Sequence, residues 1–234
     1  MLYISRNLTR SIHAILLSML LLTGISPAFA SGNPYLALWA AHPFYLGLSA
    51  GYGSTDWSMM SAKCDAEEGY PCTLILESVP SAAHDSGFVG GVFVGYEVKP
   101  SFAIEANYAH FPKATIKFSG LNLYDGLLPP GVTQIESDTD AFYILGKFMT
   151  QLSTTPFRAF ASAGMDFTYR YDILADTVRV TPTFGVGINY LADDHLMIEF
   201  GFQYMAGYDK ASVTPAIDYI PFLYSITLKV AYRV

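Results

Sequence analysis

From Phe222 to Val234 every even position (Phe222, Tyr224, Ile226, Leu228, Val230, Tyr232, Val234) is apolar or aromatic, while the odd positions include Ser225, Thr227, Lys229 and Arg233. Side chains with a period of two point to opposite faces of a strand, so this stretch predicts a β-strand with one greasy and one wet face. The pattern recurs upstream. A first strand is predicted from Phe44 to about Trp57, with Phe44, Leu46, Leu48, Ala50 and Tyr52 opposing Gly47, Ser49, Gly51 and Gly53. A second, about Ser86 to Val98, sets Phe88, Val92, Val94 and Tyr96 against Gly91, Gly95 and Glu97. After Lys99-Pro100-Ser101, a third sets Phe102, Ile104, Ala106 and Tyr108 against Glu105 and Asn107, and its alternation is expected to run on through Ile116 and Phe118. Pro112 predicts a bulge or bend within it.

The fourth strand, about Asp140 to Met149, turns Phe142, Ile144 and Phe148 outward and Tyr143 and Lys147 inward. The opposite phase would set Lys147 against lipid, at a cost of about 2–4 kcal/mol at mid-depth. The fifth alternates regularly from Phe157 to Arg170, the sixth from Val178 to Tyr190 and the seventh from Leu196 to Tyr204. Phe222 to Val234 is the eighth. Long polar or irregular connections fall near 58–85, 120–139 and 206–219, the links after the second, fourth and sixth strands are short, and the short link after the fifth is the one exception to the alternation. Alternation of short and long links is the signature of outer-membrane barrels, which have short periplasmic turns and longer outside loops.

Composition narrows the class further. Aromatic residues make up 15% of the chain and charged residues only 14%. No apolar run after Ala30 approaches the roughly 20 residues that a membrane helix needs, which leaves the closed barrel as the spanning structure. A soluble ligand-binding barrel also has one apolar face, but its outside is dense in Lys and Glu. Here Phe and Tyr flank aliphatic positions on the apolar face of several strands, as expected where lipid tails meet headgroups. The fold class expected is therefore all-β, an eight-stranded antiparallel up-and-down transmembrane β-barrel spanning 44–234.

Residues 1–30 carry the marks of a signal peptide: basic Arg6 and Arg10, an apolar core from Ala14 to Ile25, and a small-x-small site at Ala28-Phe29-Ala30. Residues 31–43 form a periplasmic lead-in in which Trp39 marks a membrane boundary or simply packs. Beyond the signal segment, 11 basic residues face 20 acidic ones, a net charge of −9 that argues against a nucleic-acid partner. In an oxidising compartment Cys64 and Cys72 are expected to form a disulfide closing a short loop; the alternatives are an idle thiol pair or a metal site.

An eight-stranded lumen is just wide enough to be filled by side chains. Counting up from the short turns sets Glu105, Lys147, Arg158, Glu199 and Lys229 at similar heights, with Glu105 pairing Lys147 and Glu199 pairing Lys229. Asp166, Arg170 and Arg179 form a second group nearer the outside. Such pairs plug a barrel and predict no wide water channel.

The run GFVGGVFVGYEVKPSFAIEANYAHF, Gly87 to Phe111, resembles the second hairpin of small OmpA-like outer-membrane proteins. The resemblance implies a Gram-negative outer-membrane location and contact with outer-membrane lipid and lipopolysaccharide. It also implies handling by the barrel-assembly machinery, for which the last strand serves as a signal; Tyr232 fits that signal, whereas Val234 stands where an aromatic is usual. Some small barrels act on lipid A, and His110 is the best candidate base. Phe111, Pro112 and Lys113 follow it in place of the Ser and Asn that a deacylase resemblance would require. His84 and His195 have no metal-ligand spacing to the cysteines. No catalytic residue, metal or cofactor is expected. The function expected is structural or surface-interacting, as an adhesin is, with a narrow conduit for small hydrophobic or ionic solutes as the alternative. The second loop, with Leu121, Leu123, Tyr124, Leu127 and Leu128, is its most apolar candidate contact, for a host surface or a small hydrophobic ligand.

Overall fold

The computed structural model describes residues 39, 41–57, 80–118, 134–173, 176–207 and 220–234, with backbone only for 80–83. The strands are β1 (Phe44–Asp56), β2 (Pro80–His84), β3 (Ser86–Lys99), β4 (Phe102–His110), β5 (Ala114–Phe118), β6 (Gln134–Gln151), β7 (Phe157–Tyr171), β8 (Asp176–Leu191), β9 (Leu196–Met205) and β10 (Phe222–Arg233). Eight of them close a barrel in the order β1-β3-β4-β6-β7-β8-β9-β10, and β10 returns to β1. Every pairing is antiparallel. The seam between the first and last staves runs from Tyr45↔Arg233 to Asp56↔Phe222. Closure leaves no strand edge unpaired around the ring, which a lipid environment requires.

Period-two patterning maps directly onto the two faces. Phe88 is 68% exposed, Phe200 58% and Leu228 51%, all on the outer surface, while Glu105, Asn107, Lys147 and Asp166 on the alternate positions are buried in the lumen. In β6, Phe142, Ile144 and Phe148 face out and Tyr143 and Lys147 face in.

Three local expectations need correction. First, β2 lies inside the segment read as the 58–85 loop; five residues, Pro80–His84, pair with β5. The stretch is too short and polar to show periodicity, and it is held by its partner. Second, β6 starts at Gln134, so 134–139 belong to a strand and not to the 120–139 loop. Its leading residues Gln134 to Ser137 pair with β5, and Asp140 to Phe148 pair with β4. Third, the alternation does not run unbroken through Ile116. Phe111 to Lys113 interrupt the stave, Ala114 and Ile116 become buried, and Ile116 sits opposite the equally buried Ile135. Pro112 has no N–H for the ladder, and a break of three residues inverts the parity of everything beyond it. Phe111 N still donates to Thr139 O at 3.0 Å, so β4 and β5 remain one stave.

Candidate functional site

The lumen holds the chemistry, in three tiers. The charged groups of the middle tier come from four strands. Lys147 on β6 donates to Glu105 Oε2 on β4 at 2.6 Å and to Glu199 Oε2 on β9 at 2.7 Å. Lys229 on β10 donates to Glu105 Oε1 at 2.6 Å and to Asn107 Oδ1 at 2.8 Å, and lies 3.5 Å from Glu199 Oε1. Tyr45 OH donates to Glu105 Oε2 at 2.9 Å. Each carboxylate meets both ammonium groups, and the set carries no net charge. Phe160 and Phe93 floor the tier, their ring centroids 4.6 Å from Lys147 Nζ and 4.7 Å from Lys229 Nζ. A lone ion in such a setting costs several kcal/mol, which reciprocal pairing offsets. The cavity beside these groups offers about 10 Å³ to the centre of a water molecule, room for about one.

The tier at the turn end was not assembled from sequence. Glu97 on β3 accepts from Arg158 Nη2 at 2.6 Å and Nη1 at 3.2 Å, and from Arg233 Nη1 at 2.6 Å. Arg158 Cζ stands 3.4 Å from the centroid of the Trp39 ring and Arg233 Cζ 4.8 Å from it. Arg233 Nη2 also donates to Trp39 O at 2.6 Å. Trp39 is wholly buried here and is not at a membrane boundary. Arg158 therefore belongs a tier below Glu105. Its strand is registered so that Ser162, not Arg158, faces Lys147, because staves in a barrel are staggered and a count from each turn ignores the stagger. Glu97 and Arg233 both had the inward parity and were findable by it; Trp39 precedes the first strand and had no such signal.

Toward the loop end, Arg170 pairs with Asp172 Oδ2 at 2.6 Å and lies 4.8 Å from the Trp57 ring centroid. Arg179 lies opposite Thr168 on the neighbouring strand. Asp166 accepts from Thr168 Oγ1. Among the described residues no ion pair joins Asp166 to Arg170 or Arg179.

Outside the barrel, His110 Nδ1 lies 2.8 Å from Asp140 Oδ1, which also accepts from Tyr108 OH at 2.8 Å. The pair is cross-strand and exposed, on the lipid-facing side near the loop end. His195 stacks on Tyr232, with ring centroids 5.3 Å apart, and Val234 N donates to Phe44 O at 2.7 Å, so the chain end is tied to the first stave. No group of three or more His, Cys, Asp or Glu placed to hold a metal occurs among the described residues. Cys64, Cys72, Leu121, Leu123, Tyr124, Leu127 and Leu128 lie outside the described residues.

The family model described as "Outer membrane protein beta-barrel domain" matches residues 15–233. This chain belongs to that family. Among family-like relatives, an uncharacterized protein of Coxiella burnetii (strain RSA 493 / Nine Mile phase I) is 23% identical over 215 residues, 81% of this chain and 84% of the relative. Solved structures similar to this outer-membrane barrel include Neisserial surface protein A, with 12% identity, 82% of this chain and 97% of that one covered, and a TM-score of 0.49. OprG from Pseudomonas aeruginosa gives 13%, 82% and 97%, with a TM-score of 0.49. AlkL in lipid bilayers gives 14%, 89% and 94%, with a TM-score of 0.48.

Proposed function

We propose that this outer-membrane barrel is a closed anchor whose work is done by its outer loops, in a structural or surface-interacting role, and not a pore. The observation that carries the reading is the middle lumen tier, where Lys147 and Lys229 are engaged by Glu105 and Glu199 at 2.6–3.5 Å and leave space for about one water. An even stave count puts both barrel ends on one side, the periplasmic side for an exported chain. In this reading Met1 to Ala30 direct export, the barrel-assembly machinery reads β10, Cys64 and Cys72 form a disulfide, and lipid and lipopolysaccharide surround the aromatic girdles. The apolar loop residues Leu121, Leu123, Tyr124, Leu127 and Leu128 are the contact surface. Removing Leu121 to Val132 from the chain on intact cells tests this: loss of cell adhesion with normal barrel insertion supports it, and unchanged adhesion removes it.

A second reading is favoured by one observation. The loop half of the lumen carries an inward apolar cluster that includes Val89, Phe111, Leu145, Met205 and Leu223. Such a lining suits a narrow entry for small hydrophobic solutes, and an uptake assay on the same deletion measures it.

A further inference from the structure

Among the described residues, buried polar atoms without partners are not spread evenly around the loop half of the lumen. Ser137 and Thr139 on β6, Asp166 on β7 and Thr181 on β8 each leave a side-chain oxygen unpartnered, and the three strands are adjacent. The wall opposite is apolar, with Val89, Phe111 and Leu223. Unpaired buried oxygens of this kind mark water or an ion.

Asp166 decides which. It is fully buried; Thr168 Oγ1 donates to its Oδ2, and its Oδ1 has no hydrogen-bond partner. No lysine or arginine pairs with it among the described residues: Arg170 is held by Asp172, and Arg179 lies opposite Thr168. A buried carboxylate must be neutralised. Thr181, directly cross-strand from Asp166 and 4% exposed, and Thr168, two residues along the same face, supply further oxygens. All-oxygen donors suit a hard cation, and a single negative charge matches a monovalent one.

We propose that Asp166, Thr168 and Thr181 bind one alkali cation, of the sodium class, in the loop half of the lumen. The neutral Lys147–Glu105–Glu199–Lys229 tier bounds the site on the turn side.

The test uses the full chain refolded in detergent, unfolded thermally in sodium chloride or in choline chloride of equal ionic strength. Binding raises the unfolding temperature in sodium only, by mass action, and Asp166→Asn abolishes the difference. In sodium chloride, the infrared band lost in Asp166→Asn is that of an ionised carboxylate. Equal temperatures in the two salts, a difference that survives Asp166→Asn, or a lost band that is a protonated carboxyl in both salts overturns the site. Should Asp166→Asn not fold, Thr181→Val keeps the charge and removes one oxygen. The sodium midpoint then rises roughly tenfold, the worth of one such contact, and an unchanged midpoint also overturns the site.

Discussion

Lys147 touches two carboxylates from two different staves, and its own exposure is 1%. Truncating it leaves Glu105 and Glu199 to share Lys229. Lys147→Ala is expected to lower unfolding free energy by about 3–5 kcal/mol, the usual cost of stranding a buried ion. Pairing Lys147→Met with Glu105→Gln should recover most of that loss, because Lys229 and Glu199 then balance. Denaturant unfolding of the single and double variants in detergent measures both. At the turn before β9, Asp193 Oδ1 accepts from the His195 and Leu196 backbone N–H groups at 2.8 Å each. These donors hold the exposed carboxyl below its ordinary range. Its contribution is complete above the unfolded carboxylate range and fades as pH falls through the lowered folded value. The stability gap between the native chain and Asp193→Ala should thus be visible at pH ~7 and close by pH ~2, as unfolding at the two pH values reports. At this scale, sequence parity told which charges face inward, but not every contact among them. Glu199 and Lys229 are directly cross-strand. By contrast, the contacts of Lys147 with Glu199 and of Lys229 with Glu105 cross the lumen, and no count along a strand reveals them.

The staves themselves were legible wherever both faces had a chemical contrast. β7 and β10 alternate over their whole length. Legibility failed where partners, not pattern, make the strand: β2 exists as the neighbour of β5, and the parity change after Pro112 follows from a three-residue break whose length the sequence does not announce. Close packing inside the ring also constrains single positions. A Cβ on Gly95 would stand 2.2 Å from Tyr45 Cζ, the ring whose hydroxyl donates to Glu105. Gly95→Val should displace that ring and destabilise the barrel by about 1–3 kcal/mol, the cost of overpacking, and Tyr45→Phe should not restore it. On the other face, Phe200→Arg should cost about 2–4 kcal/mol at mid-bilayer, measured by refolding into lipid vesicles, because Phe200 is an outward residue in the middle of β9.

At the scale of the barrel, eight staves ring a lumen occupied by side chains of the described residues. The fold class could be read from alternation, link lengths and low charge together, since each excludes a different alternative. The plug could be read only in part. Its middle tier follows from inward charges, but the turn-end tier depends on Trp39, which precedes β1 and is held between Arg158 and Arg233 with Glu97 joining the two guanidinium groups. Two closures in series, one of ion pairs and one of a stacked indole, make a barrel that should not conduct. Single-channel recording of the refolded full chain in a planar bilayer is the most direct test. A closed lumen predicts a quiet baseline in the native protein, with discrete currents only when Trp39→Ala and Lys147→Ala are combined. Steady porin-sized conductance from the native chain would contradict it.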